Sequence, residues 1–105
     1  MTESLLQQAV EKLRRRGEAA GDIGGTVLLD LGEQGILIDG RQTPLQINAA
    51  DPAAKADCNV RMSLELLNDI LDGRRKPFMA FVTGQIGING DMSVAVKLQP
   101  LLKAG

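Results

Sequence analysis

Residues 76–102, KPFMAFVTGQIGINGDMSVAVKLQPLL, constrain the fold of this chain more than any other stretch. They hold both phenylalanines (Phe78, Phe81), two of the four methionines (Met79, Met92) and three glycines at every third position (Gly84, Gly87, Gly90). They contain no histidine, cysteine, serine–base pair or paired carboxylate. A segment this apolar, with small residues where an enzyme would carry catalytic ones, is suited to surround an apolar molecule. The expectation is a carrier of lipid-like cargo ahead of an enzyme.

A length of 105 residues predicts one domain, residues 1–105, because domains commonly run about 100–150 residues. With 44% hydrophobic residues, two phenylalanines and no tryptophan or tyrosine, the core has to be aliphatic. Large rings usually fill space and fix shape, whereas leucine and methionine adapt to variable contents. The bland alternative is a small aliphatic core with nothing inside. A formal net charge of −1 argues against nucleic acid, which calls for a basic footprint. Cys58 is the single cysteine, so no internal disulfide forms and an oxidising compartment offers nothing. The N-terminal MTESLLQQAVEKLRRR has acids early and arginines late, the reverse of a secretory signal. No window approaches the ~18 apolar residues of a membrane span. These features predict a soluble, cytoplasmic protein.

Periodicity supplies the elements. Leu5, Leu6, Ala9, Val10 and Leu13 recur at helical spacing over residues 4–16, with Ser4 and Gln7 as a capping box and Gly17 as the stop. Residues 21–25 are a turn-rich break. Strands are expected at 26–31 and 36–39, joined through the turn 32–35, with a weaker one at 45–48. Cys58, Val60 and Met62 alternate with Asp57, Asn59 and Arg61, the pattern of a half-buried strand. Ser63 then caps a helix whose stripe is Leu66, Leu67, Ile70 and Leu71, ended by Gly73. Pro77 starts a short helix that carries Phe78, Phe81 and Val82 inward. Ile86 and Ile88 mark a strand, Asn89-Gly90 a turn, and Asp91 the cap of a last helix that Pro100 ends near Gln99. Helices do not alternate strictly with strands, which predicts an α+β domain: one mostly antiparallel sheet with helices on one face.

Catalysis usually needs a group titrating near neutral pH, most often histidine, and this chain has none. Cys58 falls on the apolar face of its strand without a base to activate it. One cysteine and no histidine leave no zinc or haem set, so neither metal nor cofactor is expected. The run Gly84-Gln85-Ile86-Gly87-Ile88-Asn89-Gly90 fits neither the dinucleotide fingerprint nor the P-loop. Two basic clusters remain, Arg14-Arg15-Arg16 and Arg74-Arg75-Lys76, each at a helix C-terminus. Dipole compensation explains both. The functional alternative is docking on anionic lipid headgroups, worth up to ~1 kcal/mol per basic residue.

Ala56-Asp57-Cys58 followed by Val60, Met62 and Ser63 resembles the A-D-C-x-[VI]-x-M-S signature of the sterol carrier protein 2 domain family. Gly73 and Pro77, Ala80-Phe81, Gly84 and Ile86-Gly87-Ile88-Asn89-Gly90-Asp91-Met92 continue the likeness in register, and Ala95, Lys97, Leu98 and Leu101 fall in its last helix. The strong part covers residues 56–102, and the N-terminal half agrees only in pattern. The resemblance, to a bacterial-type single-domain member, implies a five-stranded sheet backed by helices. It also implies an apolar tunnel for fatty acid, acyl-CoA, phospholipid or sterol, and no catalysis. Gln85 and Gly87 replace family lysines and Pro100 interrupts the last helix, which bears on headgroup preference and not on fold.

The expected lipid-lining residues are Phe78, Phe81, Val82, Ile86, Ile88, Met92, Ala95 and Val96, with Leu67 and Ile70 from the middle helix. Arg74, Arg75 and Lys76 are the expected contacts to an anionic membrane surface. The rival reading is an accessory subunit that presents a lipid intermediate or holds a partner's hydrophobic segment; an acyl-transfer enzyme is the weakest.

Overall fold

Two alternating apolar rows set the sheet. In the computed structural model, which describes residues 2–19, 23–41 and 45–102, five strands run β1 (Thr26–Asp30), β2 (Gly35–Asp39), β3 (Gln46–Ala50), β4 (Cys58–Arg61) and β5 (Gly87–Gly90). Four helices accompany them: α1 (Thr2–Ala19), α2 (Leu64–Leu71), α3 (Pro77–Val82) and α4 (Met92–Leu102). The sheet order is β3-β2-β1-β4-β5, antiparallel throughout except for the parallel pair β1–β4. The register aligns Ile47, Ile38, Val27 and Cys58 in one inward row. Ile36, Leu29, Val60 and Ile88 form the next. These side chains share one hydrophobic cluster with residues of α1, α2 and α4, so the helices lie on one face.

Because β3 and β4 run the same way with two strands between them, residues 51–57 must cross the opposite face. Pro52 passes beside Gly35, where an added Cβ would lie 3.1 Å from the proline Cα. Pro52, Ala54 and Ala56 are half-buried while Asp51, Ala53, Lys55 and Asp57 are exposed. This strap opens with a turn, in which the Ala54 N–H donates to the Asp51 carbonyl at 2.9 Å, and then lies on the sheet; it accounts for the complete burial of Leu28, which points away from the main cluster.

Helix α1 is fastened along its length. Leu6, Ala9, Val10 and Leu13 are buried. Lys12 Nζ lies 2.6 Å from Asp72 and donates to Asn68 Oδ1 at 3.3 Å. The buried Asn68 amide in turn donates to the carbonyls of Leu5 and Leu64. Arg14 donates through Nε to the Ile47 carbonyl at 2.9 Å and through Nη2 to Asn48 Oδ1 at 3.0 Å, which covers part of the exposed edge of β3. Arg16 donates to the carbonyls of Leu71 and Leu101, in the last turns of α2 and α4. Arg16 thus compensates the C-terminal ends of two neighbouring helices, whereas Arg14 is engaged with β3.

Several expectations shift. Helix α1 begins at Thr2, so Ser4 lies within it instead of capping it, and it runs through Gly17 to Ala19. Absence of a side chain there lets α1 approach β3, since a Cβ would sit 3.3 Å from Ile47 Cδ1. Residues 21 and 22 of the turn-rich break lie outside the described residues, as does the end of the chain from residue 103. Asn89 and Gly90 are not a turn but pair with Asn59 and Cys58. Helix α4 passes Pro100 and ends at Leu102, because burial of Leu101 and Leu102 holds the last turn in place. The caps stand as expected. Ser63 Oγ accepts from the Leu66 N–H at 3.0 Å and Asp91 Oδ1 from the Ser93 N–H at 2.9 Å.

Gly90 is confined twice over, with φ of 114° and a would-be Cβ only 2.5 Å from the Asp57 carbonyl oxygen. Gly32 has φ of 98° but open space around it. Gly90→Ala should therefore cost roughly 3 kcal/mol in urea unfolding, and Gly32→Ala about 1 kcal/mol. Equal losses would show that packing against Asp57 contributes nothing.

Candidate functional site

After β4 the chain has only short elements with which to close the core. Helix α3 has six residues, of which Ala80 alone is buried, and β5 has four. Both leave the sheet edge incompletely covered, and a groove of about 780 Å³ opens between α3, β5, β4 and α4. Its floor is Val60, Ile86, Ala95, Leu98 and Leu102, all buried. Its rim carries Phe78 (71% exposed), Phe81 (46%), Met92 (54%) and Val96 (58%). Ile88, Pro77 and Gly73 complete the apolar wall, and among the described residues Arg75 and Lys76 are the charged ones in the lining.

The local sequence explains this shape. Pro77 opens α3 at its first turn, and Lys76 supplies the extended residue before it. The Thr83 N–H donates to the Met79 carbonyl, and the Gln85 N–H to that of Ala80. With the helix closed after so few residues, its two rings stand at the mouth instead of reaching the sheet. The expectation that Phe78, Phe81 and Val82 turn inward is thus corrected: all three are exposed.

Of the ten residues expected to line a lipid cavity, Phe78, Phe81, Ile86, Ile88, Met92, Ala95 and Val96 surround the groove. Leu67 and Ile70 do not. They are completely buried in the main cluster, within α2, which packs against α1. Val82 is 61% exposed but outside the groove. Val60, Leu98 and Leu102 were missed; the spacing Ala95, Leu98, Leu102 was available in the sequence, but a helix ending at Pro100 hides its last member. The implied tunnel is here a groove open along its rim.

The basic run is divided. Arg74 pairs with Asp69 and Asp72, at 3.0 Å from each. Arg75 donates to Gln85 Oε1 and lines the groove with Lys76. Arg75 also borders a smaller polar hollow of about 330 Å³ with Ser63, Glu65 and Gln85. The Ser63 hydroxyl there is engaged as a helix cap. Among the described residues no three carboxylate or thiol side chains converge as metal ligands do. Cys58 is completely buried, and that burial, followed by the Asp91 charge, raises its thiol pKa.

Fold and groove together define a class: α+β domains with a five-stranded sheet, helices on one face and an apolar groove at the sheet edge. A sequence profile of the SCP-2 sterol transfer family matches residues 4–103, and the chain belongs to that family. Hydroxysteroid dehydrogenase-like protein 2 of Bos taurus is 34% identical over 85 residues, which is 81% of this chain and 18% of that protein. The chain thus spans under a fifth of this relative. The crystal structure of sterol carrier protein 2 like 2 from Aedes aegypti superposes with a TM-score of 0.76, covering 94% of this chain and 97% of that one at 20% identity. The palmitated form of the Aedes aegypti protein gives 0.74 at 21% identity, covering 91% and 92%. Among the described residues no helix is long and apolar enough to cross a membrane.

The raised thiol pKa and full burial make Cys58 a poor nucleophile in the folded state. At pH 8 it should resist an aromatic disulfide reagent until urea unfolds the protein, when one equivalent reacts. Rapid labelling of the native protein would contradict the burial described.

Proposed function

We propose that the chain binds and carries lipid in the groove between α3, β5 and α4, without covalent chemistry. The observation that carries this reading is an apolar floor beneath an apolar rim that no other described part of the chain covers. Exposed apolar surface of that extent marks an interaction site. Family membership and fold support lipid binding and transfer, and favour the carrier over an accessory subunit. The palmitated Aedes aegypti relative points to fatty-acyl cargo as the first class to test; acyl-CoA, phospholipid and sterol-like molecules belong to the same proposal.

Transferring a chain of about 16 carbons out of water is worth about 0.8 kcal/mol per methylene, roughly 12 kcal/mol gross. Association opposes this by about 4–15 kcal/mol. Micromolar binding is therefore within reach without a dedicated polar contact, and length and shape would be read more closely than headgroup chemistry.

The proposal extends to three finer points. The domain itself performs no catalysis, supported by a chain without histidine and a buried single thiol. It works in the cytoplasm, supported by that unpaired thiol. It meets anionic membrane transiently through Arg75 and Lys76, with Arg74 already held by Asp69 and Asp72.

Native mass spectrometry of freshly purified protein should show added mass of lipid size, and a fluorescent fatty acid should bind and be displaced by palmitate. Val96→Asp places a charge on the exposed rim, so it should weaken fatty-acid binding tenfold or more while leaving the melting temperature nearly unchanged. A folded Val96→Asp variant that binds as tightly as wild type would reject the groove as the site.

A further inference from the structure

The apolar surface of α3 exceeds what a molecule in the groove would cover. Phe78 and Phe81 line the groove, but Met79 and Val82, 55% and 61% exposed, do not. A six-residue helix with Ala80 as its only buried residue thus presents apolar side chains both to the groove and away from it. In sequence its flank is basic: between Asp72 and Asp91 there is no acidic residue, and Arg74, Arg75 and Lys76 precede the helix. Among the described residues no carboxylate is paired with Arg75 or Lys76.

We propose that α3 is an insertion element, with Met79 and Val82 entering the interface of an anionic bilayer while Arg75 and Lys76 meet its headgroups. Basic residues at one end and apolar ones in the following turn match the layering of a membrane surface, with charge above hydrocarbon. Two half-exposed apolar side chains give marginal anchoring alone, and two cations give salt-sensitive anchoring alone. Together they give reversible attachment. Docked this way, α3 holds the groove mouth against the bilayer, and an acyl chain passes between them without crossing water. That last consequence rests on the lipid-carrier reading of the groove; the docking itself does not.

Flotation of the intact chain with vesicles of phosphatidylcholine, with or without about 30% phosphatidylserine, tests the proposal. Fluorescent fatty-acid binding in vesicle-free solution is measured in parallel. Wild type should float with the anionic vesicles and much less with the neutral ones. Met79→Ser/Val82→Ser, outside the groove lining, should lower vesicle binding about tenfold with unchanged fatty-acid affinity in solution, and Lys76→Gln should lower vesicle binding about fivefold. Both sets of substitutions fall on exposed positions, and circular dichroism verifies folding. Fatty-acid binding without attachment of wild type to anionic vesicles overturns the docking and leaves the groove reading intact. Vesicle attachment without fatty-acid binding does the reverse. Wild-type-like flotation of Met79→Ser/Val82→Ser overturns the assignment to α3. So does a self-association in sedimentation that those substitutions abolish, which gives the patch to a second copy.

Discussion

The parallel pairing of β1 with β4 is the constraint from which the rest of the molecule follows. Adjacent parallel strands cannot be joined by a tight turn, and here the intervening chain includes the β2–β3 hairpin and a return across the sheet. The return is made by residues 51–57 as a strap without helix. That leaves the other face free for the helices and buries Leu28 outside the main cluster. Register at this pair matters in the same way. Val27 opposite Cys58 and Leu29 opposite Val60 keep both inward rows on the helical side; a slip of one residue would turn β4 and everything after it inside out.

From that pair outward the two halves of the sheet differ in kind. On the β2–β3 side, α1 lies across the inward rows and is held by Lys12, Arg14 and Arg16 to α2, β3 and the end of α4. Each of these contacts spans a long stretch of sequence, so each ties helix ends and edge carbonyls that would otherwise depend on water. On the β5 side no long helix lies across the edge. The rows end there in Ile88 and Gly90, and the wall is built from a short helix, a short strand and one face of α4. Open groove and fastened helix thus lie at different ends of one sheet.

Much of the first kind of information was readable from residue order. The alternation in β4, the hydroxyl and carboxylate caps of Ser63 and Asp91, and the hairpin around Gly32 are local devices, decided by neighbours a few residues away. What was not readable depended on distant partners. Gly17 reads as a helix stop unless it is known that Ile47 sits opposite it. Pro100 reads as a terminus unless Leu101 and Leu102 are known to be buried. Leu67 and Ile70 look the same as groove residues in sequence, since a buried stripe does not reveal whether it faces a packed helix or a void. The apolar residues 76–102 supply most of the groove's lining, while the direction of its aromatic rings was set by the brevity of α3, which no periodicity reports.

That brevity also explains how so much apolar surface is tolerated. An exposed patch is an aggregation hazard, most of all beside a sheet edge. Here β5 is only four residues long and has glycine at both ends, so it offers few unpaired backbone groups and little side chain to a second sheet. The exposed phenylalanines stand on a helix that follows Arg75 and Lys76, whose shared sign opposes approach of another copy at the same face. Elements with few buried contacts also open at low free-energy cost. The segment at the mouth of the groove is therefore one with a single buried side chain, while the parallel pair and α1 are buried in the main cluster.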